Sequence, residues 1–208
     1  MIILAIGAHA DDIELGCGGS LLKWAREGHT IHQFVVTNSE FRTIDGQVIR
    51  SSSSAQEEAQ KAASTLGATI HFGQLDNFQL EYNDELNSTI RSKIEEISPD
   101  IVLAHYTGDA HRDHSAIGFS VLNSARHIQK LLFYQSNWYI GDTPFCPNIF
   151  IDISDHLEAK KDLLLLFESE FSRVGAKWIQ FIESTSSTHG LQVNSTAAEG
   201  FMSPKFVI

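Results

Sequence analysis

The chain has 208 residues, of which 42% are hydrophobic and 20% are charged. This length suits a single domain, residues 1–208, built around one core. The 26 acidic residues outnumber the 15 basic ones and give a formal net charge of −11. Such a balance disfavours nucleic acid as a partner, because phosphate binding depends on clustered Lys and Arg.

The amino-terminal segment and the cysteines bear on where the protein works. The first ten residues, MIILAIGAHA, are too short to cross a bilayer and lack the charged region of a secretion signal. The two cysteines, Cys17 and Cys146, are too few to indicate a disulfide framework. We therefore expect a cytoplasmic protein with no membrane partner, in which both cysteines are ordinary small residues.

Apolar runs and helix-forming stretches alternate along the first half of the chain. An apolar run ending at Gly7 predicts the first strand, and helical spacing before Gly28 predicts the first helix. In chain order, the predicted strands and helices cover residues 1–7, 20–27, 31–36, 55–66, 70–72, 84–97 and 101–104. This alternation is typical of βαβ units.

The second half adds predicted strands at 131–134 and 149–153 and one long helix at 157–173, with Ser154 or Asp155 as its N-cap. Together the elements predict an α/β fold, a Rossmann-like, mostly parallel sheet with helices on both faces. Two segments rich in Ser and Thr, 41–54 and 183–199, are predicted as loops. They are either lids over a site or solvated connections.

Two clusters of acidic residues and histidines follow predicted strands. Because ligands bind beyond the carboxyl ends of strands in open parallel sheets, the clusters are expected to meet at one site. A lone histidine or aspartate at a strand end is more often a hydrogen-bonded or helix-capping residue, but the concentration at two strand ends favours a metal site. The clusters are His9, Asp11, Asp12 and Glu14 after the first strand, and Asp109, His111, Asp113 and His114 after the strand at 101–104.

The residue types suit a catalytic zinc site, which takes three protein ligands and leaves one position open. His9, Asp12 and His114 provide such a set, and two imidazoles with one carboxylate would also accept iron(II) or other divalent metals. Asp11 then remains available as the general base that takes a proton from the attacking water.

The second cluster also supplies a candidate acid. His111 is flanked by Asp109 and Asp113, so we expect its imidazole to be held charged by these neighbours. In that form it would stabilise an oxyanion or protonate the leaving amine. Asp113 is predicted to orient it.

The glycines at 16–19 permit another interpretation. They follow a strand and open a helix, as in a dinucleotide-binding loop. The G-x-G-x-x-G pattern would need a small residue at Leu21, and the acidic residues before the glycines would repel a pyrophosphate. We therefore predict that the glycines let helix and sheet approach closely beneath the metal.

Two motifs in the clusters match those of a known family. The segment from Ala8 to Glu14 resembles the motif A-H-P-D-D-x-E, and the segment from His111 to His114 resembles H-x-D-H. The chain thus resembles the LmbE-like (PIG-L) family of zinc-dependent N-acetylglucosamine-type deacetylases. The resemblance implies the roles already assigned: the zinc ligands His9, Asp12 and His114, the base Asp11 and the charged partner His111.

Weaker similarities extend the resemblance to the substrate side. Arg50 begins a stretch that resembles the R...E...A...LG helix of the family, and Asp76 follows the third strand. The resemblance implies that Arg50 and Asp76 contact sugar hydroxyls, with Glu40 a further candidate. The segment at 198–201 resembles the carboxyl-terminal A-E-x-F segment that closes on the active-site side.

The chain departs from the family pattern at two places. Ala10 replaces the usual proline of the first motif, which predicts a looser loop and altered ligand geometry. Asn38 and Ser39 stand where members carry a glycine-containing turn, within T-x-G-E. Neither departure removes a catalytic group.

Trp138 follows the strand at 131–134 and is a candidate platform for a sugar ring, the alternative being a buried aromatic at a sheet edge.

The sequence thus predicts a zinc-dependent hydrolase that removes the acetyl group from an N-acetyl amino sugar or its glycoconjugate. A nucleotide-dependent oxidoreductase or transferase and a non-catalytic metal-binding protein remain alternatives. A homo-oligomer is left open.

Overall fold

The computed structural model describes residues 1–207, and within them it contains nine strands and seven helices. The strands are β1 (Ile2–Gly7), β2 (Thr30–Thr37), β3 (Phe41–Arg42), β4 (Val48–Arg50), β5 (Thr69–Leu75), β6 (Ile101–His105), β7 (Lys130–Tyr134), β8 (Ile149–Asp152) and β9 (Ala198–Phe206). The helices are α1 (Asp12–Arg26), α2 (Ser52–Leu66), α3 (Asp84–Ile97), α4 (Arg112–Ser124), α5 (Leu157–Leu165), α6 (Glu168–Val174) and α7 (Lys177–Gln192).

Seven strands form one sheet in the order β5-β2-β1-β6-β7-β9-β8, and β3 pairs with β4 in a separate hairpin. The strands β5, β2, β1, β6 and β7 run parallel to one another. Strand β9 is antiparallel to both of its neighbours, β7 and β8. The predicted α/β fold with a mostly parallel sheet is therefore confirmed. Because β1 pairs with β2 on one side and with β6 on the other, the chain changes direction across the sheet between β1 and β6.

Both faces of the sheet are covered, because alternate side chains of each strand point to opposite sides. On β1, Ile3 and Ala5 pack in one apolar cluster with residues of α1, α2, α5 and α7. Leu4 and Ile6 pack in a second cluster with residues of α3 and α4. The central strand is buried from both sides, which makes its carboxyl end a rigid support.

Helix α1 begins at Asp12 rather than at residue 20, so the glycines at 16–19 lie inside a helix and not in a loop before it. Their predicted packing role agrees with the structure. A β-carbon on Gly16 would lie 2.1 Å from the ring of Tyr134, whose hydroxyl donates to the carbonyl of Ile6 on β1. The glycine lets the helix sit directly on this ring.

Both predicted loops contain regular structure. Residues 41–54 hold the β3–β4 hairpin and the start of α2, where the Ser51 side chain accepts a hydrogen bond from the Ser54 amide as an N-cap. Most of 183–199 belongs to α7, in which Ser184 and Thr188 donate to carbonyls one turn earlier. These local hydrogen bonds allow Ser and Thr inside a helix despite their low propensity.

Two further differences concern helices. The predicted helix at 157–173 is divided into α5 and α6, and its N-cap residue is His156 rather than Ser154 or Asp155. Helix α4, which was not predicted, begins directly after His111.

Among residues 1–207, no helix has both the length and the apolar character needed to cross a membrane. Cys17 is buried, Cys146 is exposed, and both are free.

Candidate metal and active site

The two predicted clusters meet at the carboxyl ends of β1 and β6, the adjacent strands between which the chain changes direction. The first cluster occupies the turn from β1 into α1, and the second occupies the turn from β6 into α4. Such a switch point is where open parallel sheets bind ligands. The helix starts add backbone N–H groups, which favour anionic ligands and negatively charged side chains at this edge.

His9, Asp12 and His114 bring four potential donor atoms together, two of which are the oxygens of the Asp12 carboxylate. The Nδ1 atom of His9 lies 3.1 Å from Oδ2 of Asp12 and 3.3 Å from Nε2 of His114, which lies 3.2 Å from Oδ1 of Asp12. Three ligand atoms bound to a tetrahedral zinc ion lie about 3.3 Å apart, because each bond is about 2.0–2.1 Å long. The spacing and the donor types therefore fit a divalent metal with an open fourth position.

The imidazoles of His9 and His114 are each held by a carboxylate at the other ring nitrogen. Nε2 of His9 lies 3.1 Å from Oδ2 of Asp113, and Nδ1 of His114 lies 3.1 Å from Oδ2 of Asp109. The side-chain amide of Asn137 donates to both oxygens of Asp109. Such carboxylates fix the ring orientation of metal-binding histidines. Asp113 was predicted to orient His111, whereas in the structure it contacts His9.

The surrounding carboxylates favour positive charge at the imidazoles of His9 and His114. Burial lowers the pKa of His9, but Asp12 and Asp113 outweigh that effect and raise it to about 10. Burial also lowers the pKa of His114, and Asp12 and Asp109 raise it to about 9. A divalent cation at this position would satisfy the same electrostatic demand.

His105 is close to the cluster but is bound differently. Its Nε2 accepts a hydrogen bond of 3.1 Å from the Ala8 amide, which occupies the lone pair that a metal would need. Burial and the nearby His114 lower the pKa of His105 to about 4, so its ring is neutral. Asp12, His105 and His114 are grouped closely enough to hold an ion, but the backbone contact favours His9 over His105 as the second imidazole ligand.

His111 differs from its prediction. Burial, together with His114 and His9, lowers the pKa of His111 to about 4, so the ring is neutral rather than held charged by acidic neighbours. It stacks on the ring of His114 with centroids 4.4 Å apart, and its buried Nδ1 has no hydrogen-bond partner within residues 1–207. His9, His111 and His114 also form a group able to hold an ion, so His111 lies at the edge of the metal position.

Asp11 has an unusual backbone and a buried carboxylate. Its φ of 120° lies in a region that side chains rarely adopt, and such strain is concentrated at functional sites. Burial raises the pKa of Asp11, and Arg50, whose guanidinium donates to Oδ2 at 3.1 Å, opposes that shift only in part. A raised pKa makes the ionised carboxylate a stronger base.

The three predicted substrate contacts have different positions. Arg50 is buried and lines the cavity, where it donates to Asp11, the carbonyl of Ala10 and Glu58. Trp138 lines the same cavity and is 41% exposed. Asp76 is exposed, accepts a hydrogen bond from Asn38 and lies outside the cavity lining, so its expected sugar contact is not supported.

The cavity above the cluster has a volume of about 440 Å³. We call the donor residues at its base the metal floor, and the aromatic residues around its side the aromatic wall. The metal floor consists of His9, Asp12 and His114, which line the cavity, and of Asp109 and Asp113, which contact the two imidazoles from outside the lining. The aromatic wall consists of Phe41, Phe78, Trp138, Tyr139 and Trp178.

Several site residues were not found from the sequence. Phe78 lies over the cluster because its amide donates to Asp113 at 2.8 Å, and no pattern around residue 78 marks it. Glu170 and Trp178 come from α6 and the start of α7, far along the chain from both motifs.

Of the acidic residues in the two predicted clusters, Glu14 turns away from the metal floor and accepts a hydrogen bond from Gln33.

Comparison with known proteins identifies the family. The family model described as PIG-L, GlcNAc-PI de-N-acetylase, matches residues 4–125, which is more than half of the chain. The uncharacterized deacetylase YaiS of Escherichia coli (strain K12) is 35% identical over 162 residues, which cover 74% of this chain and 82% of the relative. The chain belongs to the PIG-L family. The family prediction and the predicted enzyme class, a deacetylase that hydrolyses an amide bond, are confirmed.

Two further similar proteins are named as deacetylases of the sugar diacetylchitobiose. The diacetylchitobiose deacetylase of Thermococcus kodakarensis is 28% identical over 218 residues, covering 95% of this chain and 81% of the relative. The structure of N,N'-diacetylchitobiose deacetylase from Pyrococcus horikoshii, solved with an inhibitor, has a TM-score of 0.85 and 21% identity. It covers 98% of this chain and 84% of that chain, and at this identity it shows that the fold is shared.

Proposed function

We propose that this PIG-L protein is a zinc-dependent hydrolase that removes the acetyl group from an N-acetyl amino sugar or a glycoconjugate built on one. The observation that carries the proposal is the spacing of the donor atoms of His9, Asp12 and His114, with Asp11 beside them at the floor of a cavity. A divalent metal held by these residues would supply Lewis-acid activation of the amide carbonyl and of the attacking water.

Asp11 is the proposed general base. Its buried carboxylate faces the cavity, and Arg50 fixes it by donating both to Oδ2 and to the neighbouring Ala10 carbonyl. The base takes the proton of the attacking water, and the resulting carboxylic acid can return it to the leaving amine. Arg50 is therefore proposed as a residue that positions the base, in addition to any contact with sugar hydroxyls.

His111 is proposed to act as a neutral hydrogen-bond donor. An imidazole N–H aimed at the carbonyl oxygen stabilises the negative charge that develops when water attacks, and this needs no positive charge on the ring. The stacking against His114 places the ring at the edge of the metal floor. Asp113 and Asp109 are proposed to keep the two ligand imidazoles in their metal-binding orientation.

The aromatic wall is the proposed sugar-binding surface. Trp138 and Tyr139 are half exposed on the cavity side, and flat apolar faces of this kind stack on the apolar face of a sugar ring. The names of the Thermococcus and Pyrococcus relatives support an N-acetylglucosamine unit as the substrate class. Zinc is proposed over iron(II) as the native metal, and a cytoplasmic location and the oligomeric state stay predictions.

The test pairs metal analysis with amine release from N-acetylglucosamine and N,N'-diacetylchitobiose, before and after chelation. We expect near-stoichiometric zinc and release that chelation removes and added zinc restores. Asp11→Asn should lower kcat by about 10²–10⁴-fold with metal content unchanged, because it removes the base and leaves the three ligands in place.

Asp76→Asn is the matched control, since Asp76 is a carboxylate outside the cavity and should leave kcat unchanged. Wild-type activity in Asp11→Asn with a full complement of metal would show that Asp11 is not the base. A purified protein that binds no added zinc would contradict the metal site itself.

A further inference from the structure

The two departures from the family motifs, at Ala10 and at Ser39, contact each other. The amide of Ala10 donates a hydrogen bond of 2.9 Å to Oγ of Ser39, and both residues are buried. A proline at position 10 would have no N–H to donate, and a glycine at position 39 would have no hydroxyl to accept it. The Ser39 hydroxyl thus accepts a hydrogen bond from the backbone N–H that Ala10 has and that a proline would lack.

Ser39 is itself held firmly in place. Its amide donates to Oγ1 of Thr37 at 3.2 Å, and that hydroxyl donates to the carbonyl of Ala8 at 2.7 Å. The hydroxyls of Ser39 and Thr37 lie 3.4 Å apart. The end of β2 therefore contacts the β1–α1 turn at two backbone groups, one on each side of His9.

The turn that these contacts hold contains the strained backbone of Asp11. On its carbonyl side, Ala10 accepts a hydrogen bond of 3.1 Å from Arg50, and on its amide side it donates to Ser39. Both backbone polar groups of Ala10, the residue before Asp11, are thereby fixed by side chains from other parts of the chain. A backbone in a rarely occupied region persists only when its surroundings determine it in this way.

We infer that Ser39 is a positioning residue for catalysis. Its hydroxyl restrains the Ala10 backbone, as a proline ring at position 10 would, and this restraint orients the Asp11 carboxylate. The inference rests on the proposed role of Asp11 as the base. The loop that the sequence predicts to be loosened by Ala10 is instead restrained by a side chain two residues after the end of β2. Position 39 also lines the cavity, so the restraint acts within the site.

The test is a double-mutant cycle on Ser39→Gly and Ala10→Pro. Ser39 has a φ of 55°, which glycine adopts without strain, so Ser39→Gly removes the hydroxyl and adds no backbone conflict. We expect kcat to fall about 10- to 100-fold with KM within about two-fold of wild type, because the base is misplaced while the aromatic wall is unchanged. In the Ala10→Pro background, the same substitution should change kcat by less than about three-fold.

Thermal stability provides a readout that does not depend on activity. Ser39→Gly should lower Tm by about 3–10 °C, since it leaves a buried N–H without a partner, and it should have little effect when Ala10 is already proline. Hydrogen exchange should rise in peptides covering residues 8–12 and stay unchanged in the middle of α1. Asn38→Gly is the matched control, because it adds the same flexibility to the turn without touching Ala10.

The outcomes separate this inference from the proposed function. Equal kcat, Tm and exchange in wild type and Ser39→Gly would overturn the inference, as would equal losses from Ser39→Gly with alanine and with proline at position 10. If Ala10→Pro does not fold, exchange at residues 8–12 in Ser39→Gly decides the question. If no variant releases amine from the sugars, the proposed function fails, while Tm and exchange still test the contact between Ala10 and Ser39.

Discussion

The metal floor and the aromatic wall lie in one cavity but are built in different ways. The floor sits at the ends of two central strands, its members are buried except for the partly exposed His9, and both of its imidazoles contact a carboxylate. The wall comes from loops, the β3–β4 hairpin and the start of α7, and Phe78, Trp138 and Tyr139 are 49%, 41% and 51% exposed. The contrast teaches that the proposed chemistry would rest on rigid elements, whereas the proposed sugar contacts would come mainly from loops, which vary more readily.

The largest effect on the floor, apart from loss of a ligand or of the base, is expected from Asp113→Asn. Asp113 is fully buried, contacts His9 and accepts the amides of Phe78 and Leu80, so the change removes the charge that holds a ligand ring. Metal affinity should fall about 10- to 100-fold, measured by competition with a chelator of known affinity.

Asp100→Asn is the control for this change. Asp100 also accepts a backbone amide, that of Ile2, but it lies at the opposite end of β1. Its substitution should leave metal affinity unchanged. Unchanged affinity in Asp113→Asn as well would mean that Asp113 serves only to hold the segment at 78–80.

The packing of helix α1 on the Tyr134 ring can be tested by Gly16→Ala. A β-carbon there would overlap the Tyr134 ring, so the free energy of unfolding should fall by about 1–3 kcal/mol in urea titrations. Gly18 is the matched control, because a β-carbon at that position would have its nearest neighbours at 3.7 Å. Gly18→Ala should be neutral or stabilise by up to about 1 kcal/mol through helix propensity. Equal effects at both positions would contradict the close packing of α1 on β7.

The smallest effect is expected at the wall, from Trp138→Ala. Loss of one stacking surface should raise KM about 2- to 10-fold and leave kcat and metal content nearly unchanged, as steady-state kinetics would show. Tyr82→Ala, at an exposed aromatic that packs on Phe119 away from the cavity, is the control. A fall in kcat with constant KM would instead place Trp138 among the groups that contact the reacting amide.

The metal floor could be predicted to a large extent because its signals are local. His9 and Asp12 lie in one short turn, and His114 lies in a second motif after another buried strand, so residue order and strand positions were enough to bring them together. The partner of Asp113 could not be inferred in this way. It depends on how the ring of His9 is rotated and on where Phe78 lies, and neither has a local signature.

The charge state of His111 shows a second limit. In the sequence it stands between Asp109 and Asp113, which suggests a raised pKa, whereas in space burial and two neighbouring imidazoles dominate and lower it. Adjacent residues in a turn point in different directions, so sequence proximity is a poor measure of electrostatic proximity. Asp76 is a similar case, since it follows a strand that leads toward the site and yet its side chain lies outside the cavity.

The sequence by itself determined the α/β class, the family and the donor residues, because hydrophobic periodicity and short motifs are properties of neighbouring residues. The tertiary structure decided which carboxylate holds which imidazole, what forms the aromatic wall and how Ala10 is restrained. Those features join residues that are far apart in the chain, such as His9 with Asp113 and Ala10 with Ser39. Contacts of this kind are set by the packing of whole elements, and no local pattern encodes them.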